Sequence, residues 1–274
     1  MEHYSVLITV YKSDNPEYFK LALESMVNQS IKPEQIVLVC DGELTKQHDL
    51  IIEKFEAENL GLFTTIRLKQ NEGLWNALNV GLKRCRNSIV ARMDADDIAV
   101  KNRCEIQLRE FEKDKKLEYL GSYAKEFIDS TENVVSIRKV PLSQEDIRKY
   151  ARTRNPFNHP TVMYRAESIK KIGGYKKMKR CEDYELAVRL IMNNAVCRNL
   201  PNCLLYYRLT EDTFNRRKNW NNTKGFIYVR YLNWRKGFTP FLEFAAMTAL
   251  QMFLFVMPIS VTRFFYQKIL RKRF

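Results

Sequence analysis

Four short apolar runs, at residues 5–10, 35–40, 63–68 and 89–93, alternate with amphipathic segments over the first hundred residues. That rhythm leaves few folds open. Apolar runs of this length, bounded by turn signals, read as strands buried in a sheet. The segments between them carry helical spacing. Phe19, Ala22, Leu23, Met26 and Val27 share one face, Ile52 and Phe55 another within 49–59, and Leu74, Ala77, Leu78, Gly81 and Leu82 a third within 73–86. Asn15 or Asp14 before Pro16 supplies a helix cap followed by proline in the first turn. Strand and helix in alternation with short connections predict right-handed β-α-β units and a parallel sheet.

Ligands of such open sheets sit beyond the carboxyl ends of the strands. Two of the runs end in acids at that edge. Residues 35–40 stop at Asp41 and Gly42, and residues 89–93 empty into Asp94, Asp96 and Asp97. Clustered carboxylates raise one another's pKa unless positive charge lies between them. A hard divalent cation that also takes phosphate oxygens suits such a cluster. An Asp-x-Asp pair also occurs in solvated loops and caps, and Asp97 reads equally as the start of the next helix. Arg92 shares a face with Asp94 by strand alternation. It is placed either to meet phosphate or to pair with an acid.

Beyond residue 97 the rhythm changes. A helix is expected over 101–113, strands over 118–128 and 134–140, and a short helix over 144–152. A rigid loop at 155–160, a strand at 161–164, a tight turn at Gly173 and Gly174 and a helix over 183–193 follow. With 274 residues, 45% hydrophobic and 28% charged, the chain has globular composition, and one compact domain is expected to about residue 210. The six cysteines form no Cys-x-x-Cys, and no His stands at zinc spacing, which favours reduced thiols. No signal peptide is read at the N-terminus.

The net charge of +14 is uneven: from Arg198 onward there are 14 Lys/Arg against 3 Asp/Glu. Residues 244–261 hold only Thr248, Gln251 and Ser260 as polar side chains, with Pro258 inside and basic residues on both flanks. At 18 residues the stretch sits near the lower limit for a spanning helix, and positive flanks on both sides disfavour spanning. The preferred reading is a helix in an anionic membrane interface. The other is a packed C-terminal helix or dimer contact. No motif for nucleic-acid binding is present.

The motifs VLITVYK (6–12), IVLVCDG (36–42), NEG (71–73), ALN (77–79), ARMDADD (91–97), RNPFNHPTVM (154–163), GGY (173–175) and EDY (182–184) occur in this order. Together, over roughly residues 4–210, they resemble family 2 glycosyltransferases of the GT-A fold, and more narrowly bacterial enzymes of exopolysaccharide assembly of the amylovoran type. The resemblance implies an α/β fold, a Rossmann-like, mostly parallel sheet flanked by helices. Its nucleotide-binding half would be about 1–97 and its acceptor half about 98–215, with a basic, apolar helical membrane-associating extension over 216–274. It implies a nucleotide-sugar donor, UDP-linked by preference, and Mn²⁺ or Mg²⁺. Asp41 then accepts a hydrogen bond from the base, and Tyr11 packs against it. Asn71 and Gly73 belong to the same donor site. Asp94 lies near the ribose or in the metal's surroundings, and Asp96 is the direct metal ligand. Asp183 is the general base of an inverting transfer, with Glu182 beside it; a helix cap is a compatible role for Asp183. His159 either contacts diphosphate or acceptor or only hydrogen-bonds within its loop. Arg208, Arg216, Arg217 and Lys218 form either a lid over the diphosphate or a solvated basic run. The processive motif Gln-x-x-Arg-Trp is missing, which points to one sugar per acceptor. Leu78 stands where the family often has a basic residue.

The expected activity is therefore transfer of a sugar to a lipid-linked, polyprenyl diphosphate acceptor at the cytoplasmic face of a bacterial inner membrane, by a peripheral or monotopic protein. A nucleotidyltransferase is the competing enzyme class, but residues 10–14 lack its Gly-rich basic loop. A non-catalytic membrane- or polyanion-binding protein is the competing class outside enzymes.

Overall fold

The computed structural model describes residues 2–210 and 219–257. Arg216, Arg217 and Lys218, expected as a lid or a solvated basic run, Pro258 and the basic residues at 263–273 lie outside them. Strands β1 (Tyr4–Val10), β2 (Gln35–Cys40), β3 (Phe63–Arg67) and β4 (Ile89–Met93) form a parallel half-sheet in the order β3-β2-β1-β4. Helices α1 (Pro16–Val27), α2 (Lys46–Glu58) and α3 (Leu74–Arg84) connect them. The side chain of Asn15 accepts the N–H groups of Glu17 and Tyr18, with Pro16 in the first turn, as the sequence predicts. Helix α2 begins earlier than expected. Thr45 caps it through the His48 N–H, and the polar first turn that follows has no apolar signal to reveal it.

The second half holds β5 (Ile98–Ala99), α4 (Arg103–Lys113), β6 (Tyr119–Phe127), β7 (Val134–Arg138) and α5 (Gln144–Ala151). A 3-10 turn (His159–Thr161), β8 (Met163–Arg165), α6 (Ala166–Lys171), α7 (Glu182–Met192) and β9 (Cys197–Arg208) follow. The sheet continues from β4 through β8, β6, β9 and β5, with β7 on the free flank of β6. Here only β6 and β9 pair in parallel; β8, β7 and β5 run antiparallel to their neighbours. The α/β class with flanking helices holds, and the parallel character belongs to the first half. Strand β9 escapes sequence reading because Arg198, Asn199, Pro201 and Asn202 break its apolar pattern. Register shifts opposite Ser122 and Tyr123 absorb the irregularity.

The sheet divides two cores. Val6, Ile8, Val10, Ile36 and Leu38 pack with α1, α2 and α4, while Leu7, Val37 and Val39 pack with α3 and α7 on the other face. Alternation along each strand makes this split. Gly81 lets α3 lie directly on the sheet, since a Cβ there would collide with Leu7 and Val39. All six cysteines are free, and five are buried.

Two further helices, α8 (Trp220–Arg235) and α9 (Phe241–Val256), follow the domain. α8 buries Thr223, Val229, Arg230 and Asn233. α9 buries no residue and exposes Phe241, Leu242, Leu250, Phe253 and Val256. Within the apolar stretch 244–261, α9 stops at Val256, and Met257 is extended, with ψ 146°. A following proline disfavours the helical region for the residue before it. At 16 residues, α9 is about 24 Å long, short of a bilayer's hydrocarbon core of roughly 30 Å. No helix among the described residues is long and apolar enough to cross a membrane.

Gly81→Val should lower the unfolding free energy by about 1–3 kcal/mol through overpacking against β1 and β2. A reduced urea midpoint with an unchanged slope is the expected reading.

Candidate active site

The carboxyl edge of the parallel half gathers the first group. Asp41 leaves β2 buried, and its two carboxylate oxygens accept the N–H groups of Glu72 (2.8 Å) and Gly73 (3.0 Å). The Asn71 amide donates to the Asp41 carbonyl at 3.3 Å. Gly73 stands at φ 95°, in the left-handed region that glycine enters without a Cβ clash. A Cβ on Gly42 would come 2.7 Å from the Asn71 nitrogen. Asp41, Asn71 and Gly73 thus form one cradle. The Asp41 N–H donates to the Val10 carbonyl at 2.8 Å, which brings Tyr11 alongside with its ring exposed. A buried carboxylate with acceptor capacity to spare, beside an exposed aromatic ring, can take a flat polar ring.

The second group lies beyond β4. One carboxylate oxygen from each of Asp94, Asp96 and Asp97 lies within 4.8 Å of the others. Asp94 and Asp96 are half-buried, and Asp97 is fully buried. Burial, and then the charges of Asp96 and Asp94, push the Asp97 carboxyl well above the usual range. Its Oδ1 accepts the Arg208 N–H at 2.9 Å, while its buried Oδ2 has no hydrogen-bond partner among the described residues. Hard oxygen donors, unbalanced negative charge and an unpartnered buried oxygen fit a divalent cation. Two expectations are corrected here. Asp97 does not start a helix: β5 follows it, and α4 begins only at Arg103. Arg208 belongs neither to a flexible lid nor to a solvated basic run. It ends β9 buried, its Nε donates to the Asp96 carbonyl (2.9 Å), and its guanidinium lies 3.9 Å from the centre of the Tyr18 ring.

Arg92 joins this group to the third. Its side chain is buried and its Nη2 pairs with Asp94 Oδ1. Nε and Nη1 have no hydrogen-bond partner among the described residues. The same cation acts on Asp97, His159, Glu182 and Asp183.

Glu182 and Asp183 occupy the first turn of α7, behind Cys181 in a left-handed conformation (φ 67°). The residue at the cap position is Cys181, so Asp183 is not the N-cap. Asp183 Oδ2 accepts the Asn155 amide at 2.7 Å, and Oδ1 accepts the Tyr184 N–H at 2.8 Å. Burial raises the Asp183 pKa against the pull of the Tyr184 N–H, Arg92 and Arg138. Burial and the neighbouring Asp183 push Glu182 up to about 7. A carboxylate whose pKa is raised and which keeps some exposure is a better proton acceptor than an ordinary one. His159 lies in the 3-10 turn and bonds the Tyr175 hydroxyl through Nε2 at 3.0 Å. Burial, and then Arg92, hold its pKa well below the ordinary value, so the ring is neutral.

Three residues join the site without having been assigned a role from sequence: Asn155, which orients Asp183; Tyr175, which holds His159; and Arg138, whose charge acts on Asp183 and Asp97. Asn155 and Tyr175 stand inside quoted motifs. Arg138 had only a weak signal, a cation near the end of an expected strand.

Residues 5–173 match the family described as Glycosyl transferase family 2. The chain is 32% identical to the amylovoran biosynthesis glycosyltransferase AmsE of Erwinia amylovora, covering 97% of this chain and 98% of the relative. It is 30% identical to the UDP-Gal:alpha-D-GlcNAc-diphosphoundecaprenol beta-1,3-galactosyltransferase of Escherichia coli, covering 98% and 97%. Among solved structures, the mannosyltransferase PcManGT of Pyrobaculum calidifontis, in complex with GDP-Man and Mn²⁺, superposes with a TM-score of 0.66 at 13% identity, covering 95% of this chain and 78% of that one.

Glu182 generates a stability test. A carboxyl whose folded pKa exceeds its unfolded value makes the native state hold the extra proton. Stability is then greatest at low pH and declines as pH rises from the ordinary carboxylate range through about 7. Glu182→Gln should match the wild type near pH 5 and exceed it at pH 8 by on the order of 1–3 kcal/mol, measured by urea unfolding at both pH values.

Proposed function

The chain belongs to glycosyltransferase family 2, and we propose that this glycosyltransferase moves one sugar, with inversion, from a UDP-linked donor to a polyprenyl diphosphate-linked saccharide in bacterial surface or exopolysaccharide assembly. Family membership sets aside nucleotidyl transfer and the non-enzymatic reading. The observation that carries the proposal is the arrangement of three groups: the Asp41 cradle and the Asp94–Asp96–Asp97 cluster at the ends of parallel strands on either side of β1, and the Glu182–Asp183 pair, held by Asn155, in the field of the same Arg92 that acts on the cluster. The Escherichia coli relative's UDP-Gal donor and diphosphoundecaprenol acceptor support the choice of substrates.

In this reading, residues 1–97 hold the donor and residues 98–215 the acceptor. Asp41 accepts a hydrogen bond from the base, Tyr11 packs on it, and Asn71 and Gly73 hold the cradle in shape. Asp96, with Asp94, would hold Mn²⁺ or Mg²⁺, which when bound neutralises charge on the departing diphosphate. Arg92 supplies fixed positive charge beneath the acids. Asp183 takes the proton of the acceptor hydroxyl while that oxygen attacks the anomeric carbon from the face opposite the diphosphate. The new C–O bond forms as the bond to the phosphate oxygen breaks. Glu182, pushed up to about 7, keeps a second full charge from building beside the base. Neutral His159 serves as a hydrogen-bonding group rather than a cation.

The exposed apolar side chains of α9 and the basic flanks of the C-terminal region support attachment to an anionic membrane surface. The cytoplasmic face of the inner membrane is the proposed location, because it is where a lipid-linked acceptor and a cytosolic nucleotide-sugar meet.

With Mn²⁺ present, a panel of UDP-, GDP- and dTDP-sugars should reveal one that the protein binds and turns over, and silence across the panel overturns the proposal. Asp183→Asn should lower kcat by about 10²–10⁴-fold and leave UDP affinity intact; loss of UDP binding instead removes Asp183 from the base role. Wild-type transfer should rise with pH through the raised pKa of Asp183, because only the deprotonated form accepts the hydroxyl proton. Deleting residues 240–274 should abolish co-sedimentation with vesicles rich in phosphatidylglycerol, and unchanged sedimentation assigns α9 to packing.

A further inference from the structure

Two segments hold the proposed base, and α8 grips both of them. The first is the loop after α5. Asn155 donates to Asp183 from this loop, and two residues earlier the Thr153 carbonyl accepts Nε of Arg230 at 3.1 Å. Next to it, the Arg152 carbonyl accepts the Thr239 hydroxyl at 3.2 Å. The second is the turn into α7. Gly225 faces it so closely that a Cβ would lie 3.0 Å from the Arg180 carbonyl oxygen and 3.2 Å from Cys181 Sγ. Cys181 is the left-handed residue that begins α7. One residue past Asp183, the Tyr184 ring sits 6.3 Å from that of Phe226, and its hydroxyl donates to the Ala151 carbonyl at 2.8 Å. The loop and the turn are therefore tied to each other and to one face of one helix. Arg230 is buried, and its Nη1 also donates to the Met247 carbonyl at 3.1 Å and reaches Gln251 Oε1 at 3.4 Å. The same guanidinium thus links the base's loop to α9.

We infer that α8 is a positioning element for Asp183, acting through Gly225 at the Cys181 turn and through Arg230 at the Thr153–Asn155 loop. This rests on the assignment of Asp183 as base. The C-terminal helices then do more than attach the protein to a surface: they fix the rotamer and height of the carboxylate relative to the acceptor hydroxyl. Gly225 and Arg230 touch neither donor nor acceptor in this scheme, so their influence falls on turnover rather than on nucleotide binding. A misplacement near 1 Å at a reacting group lowers turnover by about 10²-fold.

The test uses the full chain with Gly225→Ala, Arg230→Lys and Arg230→Gln. Gly225→Ala is the informative variant, since alanine favours the helix intrinsically while its methyl presses on the turn. Three readouts are taken: UDP affinity with Mn²⁺ by calorimetry, kcat for the UDP-sugar that the wild type turns over, and amide hydrogen exchange over 181–185 compared with α1. The expected result for Gly225→Ala and Arg230→Gln is unchanged UDP affinity, kcat lower by about 10–100-fold, and faster exchange over 181–185 with α1 unaffected. Arg230→Lys, which keeps one donor to the loop, should recover part of kcat. Normal kcat and normal exchange in Gly225→Ala overturn the inference, as does a loss of kcat that only follows a loss of UDP binding and faster exchange throughout. A wild type that turns over no nucleotide-sugar overturns the proposed function instead, and the exchange over 181–185 then decides this inference alone.

Discussion

The site depends on one buried cation. Arg92 sits in the ladder of β4, opposite Leu7 of β1, and its guanidinium is closed off from solvent. A charge there costs several kcal/mol unless it is paired. The pairing comes from Asp94 directly and from the field of Asp97, Glu182 and Asp183. The dependence runs both ways. Without Arg92 the acids would lose the one cation that acts on Asp94, Asp97, Glu182 and Asp183 together, leaving Arg138, Arg180 and Arg208 among the described residues to offset them in part. Arg103, buried behind, donates to the Arg92 carbonyl at 2.7 Å and locks that stretch of strand to α4.

Around this cation the two halves of the sheet do different work. The parallel half delivers Tyr11, Asp41 and Asp94 to one edge because parallel strands all end on the same side. The second half brings Glu182 and Asp183 back toward that edge on the first turn of α7. It needs antiparallel β8 to do so, since β8 pairs with β4 beside Arg92. β9 then closes the circuit, ending at Arg208 on the acid cluster. A glycosyltransferase needs donor and acceptor to meet, and here their proposed sites share one sheet and one central charge.

Much of this was legible in the chain. The buried faces of α1 and α3, the extents of β2 and β4 and the cap at Asn15 follow from local pattern and are found as read. What local pattern misread has a common cause. Asp97 looked like a helix cap because caps are recognised by neighbours in sequence, yet its partner is Arg208, 111 residues away. Arg208 looked like part of a basic run because its aromatic and carbonyl partners, Tyr18, Phe127 and the Asp96 carbonyl, come from elsewhere in the chain. Hydropathy is continuous over 244–261, while backbone sterics before Pro258 end α9 at Val256.

The sequence by itself determined the α/β class, the family and the acids at the strand ends. These rest on periodicity and on contiguous motifs, which are properties of neighbouring residues. Only the tertiary structure decided which acids share a cation, which carboxyl is raised by burial and which amide orients Asp183. Burial and electrostatic fields are sums over residues distant in sequence. Such sums exist only once β4, the 3-10 turn and α7 are packed around Arg92.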